Sequence, residues 1–214
     1  MIYQPTDGQI MDRIIKCRPK TCFIMTQLDI PVPDIVTDIR KILTNLMRRH
    51  GIRLLDANDE VTGRDFLLKI WEMILSVPMG IAIVDREMKS TAIQNVYYEI
   101  GVMQAYGKET LVVRTPETKV PSDFVRTEYV NFDEGFKPKI RKFIKRCKEQ
   151  ADFFLVTAQN LKVNPPLAFD YYRRAYLMSG ERQAQQEATQ ILATSSNPPH
   201  CESCNALESS WIKT

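Results

Sequence analysis

Short runs of apolar residues alternate, through the first two thirds of the chain, with stretches that are apolar only at every third or fourth position. The runs at 21–25, 52–55, 81–84 and 110–113 are continuous rather than alternating, with a fifth at 128–132, and each ends in polar or turn-forming residues. Continuous apolar runs of that length read as strands buried on both faces. Between them, Ile35, Ile39, Ile42, Leu43 and Leu46 mark one face of a helix over 34–49, closed by basic residues and Gly51. Phe66, Leu67, Ile70, Met73 and Ile74 mark a second helix over 66–75, and a third is expected over 95–106, ended by Gly107. Strand and helix in strict alternation with short connections predict a parallel sheet covered by helices on both faces. The expected fold is therefore a flavodoxin-like, doubly wound α/β sheet of about five strands.

The period changes after residue 136. Ile140, Ile144, Cys147, Ala151, Phe154, Ala158 and Leu161 are spaced alternately four and three residues apart, a heptad seam that calls for a partner helix in the same chain or across a dimer. Two further helical blocks follow, at 167–178 and 181–192, divided at Ser179-Gly180. Ala168, Tyr171, Tyr172 and Ala175 give them the look of a single tetratricopeptide-like hairpin, which needs another surface to cover it. The chain thus divides into an arm at 1–20 with a helical turn near residue 10, an α/β domain at 21–135, a helical region at 136–193 assigned to assembly, and a Ser-, Asn- and Pro-rich tail at 194–214. The seam over 140–161 makes a homo-oligomer the expected state.

Composition narrows the partners. The 214 residues are 44% hydrophobic and 26% charged, ordinary for a globular chain, and 29 basic against 26 acidic residues leave a net charge of only +3. A protein that coats a nucleic-acid duplex carries a strong basic excess, so nucleic acid is not the expected partner. No run of 18 apolar residues and no leader-like apolar segment is present, and five cysteines are too few and too odd for a disulfide scaffold. The expectation is a cytoplasmic protein away from membranes.

Ligands of doubly wound sheets bind outside the carboxyl ends of the strands, at the switch point of the strand order. That rule selects Thr26, Gln27, Asp56, Asp85 and Arg114, together with the openings of the helices that follow. Asn95 is a good helix cap, which would put Glu99 in the first turn, where the helix dipole favours an ionised carboxylate. Asn95 is then either only the cap or also the group that orients Glu99. Asp85 is either a second functional carboxylate or simply the first residue of a loop. Arg64, Arg86 and Lys89 are candidate phosphate contacts, and equally plain surface charges.

Several of these segments together resemble one family. Cys22-Phe23-Ile24-Met25-Thr26, Ile81-Ala82-Ile83-Val84-Asp85, Asn95-Val96-Tyr97-Tyr98-Glu99-Ile100-Gly101 and Ala105-Tyr106-Gly107-Lys108 before Leu111-Val112-Val113 look like the nucleoside 2-deoxyribosyltransferase-like superfamily, with its relatives among TIR-like nucleotide-binding domains. The likeness spans about residues 20–133. It implies that Glu99 is the catalytic carboxylate for cleaving an N-glycosidic bond, with Asp85 as its helper. Thr26, Gln27, Asp56, Arg64, Arg86 and Asn95 would contact a nucleoside, nucleotide or NAD-like dinucleotide, and no cofactor or metal would be needed. Breaking a C1′–N bond builds positive charge on the ribose, which a nearby carboxylate can stabilise or trap. The chain departs from the family at Asp85-Arg86-Glu87-Met88-Lys89, where a Gly-containing turn is common, and it lacks a Gly-rich phosphate cradle after the first strand. The same pocket would serve a non-catalytic nucleotide sensor that signals through the helical region, and a protein-binding adaptor would need no carboxylate there at all.

Three weaker signals complete the reading. Seven basic residues over 137–148 lie on the polar face of an amphipathic helix and read as a solvated face. His200, Cys201 and Cys204 form half a zinc site, with Cys17, Cys22 or another subunit needed to complete it, so no metal centre is assigned. His50 ends a helix, and two histidines in all leave little material for a Ser–His or Cys–His nucleophile.

Overall fold

The computed structural model describes residues 15–59, 66–120, 129–161 and 163–194. Five strands, β1 (Thr21–Met25), β2 (Arg53–Leu55), β3 (Met79–Val84), β4 (Glu109–Arg114) and β5 (Tyr129–Asn131), form one sheet in the order β2-β1-β3-β4-β5. Every neighbouring pair is parallel. This is the doubly wound, flavodoxin-like order, with its switch point beside β1, where the chain leaves for β2 and returns on the other side as β3. β1 and β3 are buried along their whole length, as their unbroken apolar sequences require.

Three helices connect the strands: α1 (Asp34–Arg49), α2 (Phe66–Ser76) and α3 (Ser90–Ala105). α1 buries Val36, Ile39, Leu43, Leu46 and Met47, and ends with Arg48 and Arg49 against its own dipole. α3 presses Val96, Ile100 and Met103 onto the sheet. Gly80 of β3 makes that contact possible, because a Cβ there would stand 2.3 Å from the Met103 sulfur. The expected start of α3 is corrected: the helix begins at Ser90, a turn and more before Asn95. No Gly or Pro interrupts Ser90-Thr91-Ala92-Ile93-Gln94, so the helix extends back until the Asp85–Lys89 loop stops it. Asn95 caps nothing.

α4 (Phe136–Asn160), α5 (Pro165–Ser179) and α6 (Arg182–Thr194) follow the sheet. The seam is filled inside the chain. Ile140, Phe143, Ile144, Cys147, Ala151, Phe154 and Ala158 of α4 are buried, α5 packs along α4, and α6 packs on α5. Tyr172, Ala168 and Ala175 of α5 and Ala184 and Ala188 of α6 complete this layer. An oligomer through the 140–161 seam is therefore corrected: of the two partners the heptads allow, the one in the same chain takes the place. The segment before β1 also rests on the body, with Ile15 buried and the amides of Arg18 and Lys20 donating to Ser76 (2.8 Å) and Leu177 (2.9 Å) carbonyls. No helix among the described residues is long and apolar enough to cross a membrane.

Candidate functional site

A cavity of about 160 Å³ opens at the carboxyl end of β1, at the switch point. Its floor comes from Phe23, Ile24 and Ala57, one wall from Thr26, Gln27, Leu28 and Asp29 after β1, and its rim from Phe66 of α2. The opposite wall is one face of α3, formed by Thr91, Ala92, Asn95, Val96 and Glu99. Those positions share a face because a helix repeats every 3.6 residues, so 91, 95 and 99 stand roughly above one another.

Glu99 is half-buried in that wall and makes no hydrogen bond or ion pair among the described residues. Burial alone pushes its carboxyl up to about 7. The dipole expectation is thereby reversed. With α3 starting at Ser90, Glu99 sits in the middle of the helix, beyond reach of the terminal N–H groups, and desolvation favours its neutral form. Across from it, the Thr26 hydroxyl is enclosed and has no hydrogen-bond partner among the described residues. An enclosed polar group left unpaired costs about 1–3 kcal/mol, so one at a cavity wall is an observation to explain.

Gln27 lines the same cavity, but its amide is already committed. Its nitrogen donates to the carbonyls of Asp29 (2.9 Å) and Pro31 (2.6 Å), and its oxygen accepts from the Lys89 amide (2.6 Å). Gln27 thus ties the loop after β1 to the start of α3 and sets the distance between the two cavity walls. Lys89 adds a bond from its ammonium to the Ile30 carbonyl (3.2 Å).

The other candidates stand apart from the cavity lining. Asp85 is buried at the end of β3, accepting from the Thr115 hydroxyl and from the Glu87 amide (2.8 Å), while Thr115 and Thr118 share a hydroxyl contact of 2.8 Å. Asp56 is buried at the end of β2, where it accepts from Arg40 of α1 and from the Asn58 amide (2.8 Å). Arg86 is exposed and paired with Glu117, and Arg114 donates to Asn131 (2.6 Å) over the Tyr129 ring. The structure thus brings together Thr26, Gln27, Asn95 and Glu99, with Asp85, Asp56 and Arg86 each held by partners elsewhere. Arg64, His200, Cys201 and Cys204 lie outside the described residues. Among the described residues no group of three or more His, Cys, Asp or Glu is placed to hold a metal ion. Asp29, Thr91 and Phe66 also line the cavity. Thr91 shares a face with Glu99 at a spacing of eight, a signal legible only once the helix start is known.

A larger cavity, about 260 Å³, lies at the other end of the sheet between Lys20, His50, Ile52 and Met79 and the α4–α5 layer. Its charged groups, Lys20, His50, Lys148, Asp152 and Glu181, are exposed at the rim, and the Cys147 thiol in its lining is pushed by burial up to about 12. A thiol so held stays protonated and is a poor nucleophile.

Comparisons of this chain with protein-family models, with curated proteins and with solved structures return no match.

Proposed function

We propose that the chain cleaves or transfers at the N-glycosidic bond of a nucleoside-like ligand bound in the β1–α3 cavity, with Glu99 as the catalytic carboxylate. One observation carries the reading: a carboxyl without a partner among the described residues, desolvated until it titrates near neutral pH, on the wall of a cavity at the switch point. Perturbed, unpaired carboxyls in such places are the working groups of acid–base and nucleophilic chemistry.

With its carboxyl raised only to about 7, Glu99 is still available in its ionised form at neutral pH. In that form a carboxylate oxygen attacks C1′ while the C1′–N bond breaks. The bonding electrons leave on the base nitrogen, which takes a proton from solvent. Water or a second base then displaces the ester oxygen from C1′, a proton is released, and the carboxylate is restored. Thr26, Asn95 and Asp29 supply polar groups on the same walls for the sugar hydroxyls. Asp85 drops out as helper in this scheme, because its carboxylate is committed to Thr115 and Glu87 and stands outside the lining.

The test is to incubate the protein and Glu99→Gln with nucleosides, nucleoside monophosphates and NAD, and to follow free base by chromatography. Wild type should release base with a pH limb near 7. The variant should lose at least about a hundredfold in rate. Ligand binding by both proteins with base release by neither overturns the enzymatic reading and leaves a nucleotide-sensing module.

A further inference from the structure

With its seam buried inside the chain, α4 still presents a second face. Arg141, Lys142, Lys145, Glu149, Asp152, Phe153 and Val156 are all exposed, and their spacing keeps them on the side of the helix opposite Ile140, Ile144, Cys147, Ala151 and Phe154. Phe153 and Val156 are 58% and 55% exposed, one turn apart. The charges along this face are sorted: cations come first, acids stand in the middle, and the apolar pair comes last. Among the described residues the stripe has one ion pair of its own, the exposed Lys145–Glu149 contact of 3.5 Å, which holds little.

We propose that this face of α4 binds the same face of a second copy of the chain, antiparallel, about a two-fold axis at the level of Cys147. In that register Lys145 meets the partner's Glu149, and Arg141, on the same flank of the stripe as Asp152, meets the partner's Asp152. Lys142 lies over the partner's Phe153, and Pro138 over the partner's Val156. The two-fold repeats each contact, as an isologous interface requires. A parallel alignment would instead set Lys145 against its own copy. The acids argue against a polyanion or an anionic lipid surface as occupant, since Glu149 and Asp152 would face it in the middle of the stripe and the apolar pair would stay in water.

The experiment is sedimentation of the full chain over a concentration series, with circular dichroism to confirm that each variant is folded. Wild type should form a dimer that weakens as salt rises. The reversals Arg141→Glu/Lys145→Glu and Glu149→Lys/Asp152→Lys should each weaken it about tenfold or more, and the chain carrying all four should recover it, because both pairs are inverted together. Phe153→Asp should also weaken it. A wild type that stays monomeric at its highest soluble concentration overturns the proposal, as does a dimer indifferent to these changes or a fourfold variant that fails to recover. Binding of the monomeric chain to anionic vesicles or to an oligonucleotide through Lys142 and Lys145 would overturn it in favour of a basic docking face.

Discussion

At the carboxyl ends of the strands, the half-buried Glu99 faces a cavity with no partner among the described residues; at the amino ends, Lys108 is also desolvated, and its ammonium donates to the carbonyls of Leu75 (3.2 Å) and Val77 (2.7 Å). Burial moves both groups toward neutrality, Glu99 up to about 7 and Lys108 down to about 7, the latter with help from the neighbouring Arg173 and Arg174. The same physics thus acts at both ends, and only the partners differ. Lys108 satisfies carbonyls at and just beyond the end of α2, in a corner where Gly107 takes a positive φ of 64° beside Arg174 of α5. That fastens the start of β4 to the end of α2. Glu99 fastens nothing among the described residues. A perturbed titration therefore marks a candidate site only where the group is also unspent, which separates Glu99 from Lys108 here, and from Asp85 and Asp56 at its own end of the sheet.

Removing the two groups should have opposite consequences for stability. Lys108→Met leaves the Leu75 and Val77 carbonyls without their donor and should cost about 2–3 kcal/mol in urea unfolding. Glu99→Gln should cost little. If Glu99→Gln proves the more damaging of the two, Glu99 has a structural partner and the contrast fails.

The pH dependence sharpens the same contrast, and the signs follow from linkage. Lys108 has a folded value below its unfolded one, so from about pH 7 up to its ordinary range the unfolded chain holds more protons and stability rises with pH. Glu99 has a folded value above its unfolded one, so from about 4.5 to 7 the native chain holds the extra proton and stability falls with pH. The wild-type advantage over Lys108→Met should grow between pH 7 and 9, by at most about 1.4 kcal/mol per pH unit. Wild type should lose ground to Glu99→Gln between pH 4.5 and 7. Parallel curves in either comparison would show that the group titrates normally.

Gln27→Ala tests how the two walls of the cavity are held. Three bonds from one buried amide are lost, and the Lys89 amide and the Asp29 and Pro31 carbonyls lose their partner. The expected cost is about 1–3 kcal/mol, with weaker nucleoside binding because the loop after β1 no longer tracks α3. Unchanged stability would place the clamp elsewhere.

How far the sequence carries the picture follows from the range of each interaction. Strand runs and helix faces are local patterns, so the order of elements from Thr21 to Arg114 can be read directly, whereas the strand order that places the switch point beside β1 cannot. The start of α3 cannot, because Asn95 has the chemistry of a cap whether or not the helix reaches back to Ser90. That shift reverses the predicted ionisation of Glu99 while leaving Glu99 itself a candidate. Asp56 and Asp85 meet the positional rule equally well. What separates them from Glu99 is Arg40 on α1 and Thr115 after β4, partners 16 and 30 residues away that no spacing reveals. The 140–161 heptads announce that α4 needs a partner, and the choice between α5 and another chain lies in tertiary packing alone.

The smallest expected effect bears on the wall opposite Glu99. Thr26 is 9% exposed, and its hydroxyl is enclosed without a partner among the described residues. Thr26→Val removes that hydroxyl at nearly constant volume. Were the hydroxyl there for the fold, the substitution would destabilise. Since the described residues offer it nothing, stability should instead hold or rise by up to about 1 kcal/mol in thermal or urea unfolding. Nucleoside affinity, measured by calorimetry on the same protein, should fall severalfold if the hydroxyl is kept for a ligand. A loss of stability would mean that Thr26 belongs with the spent groups, as Asp56 and Asp85 do.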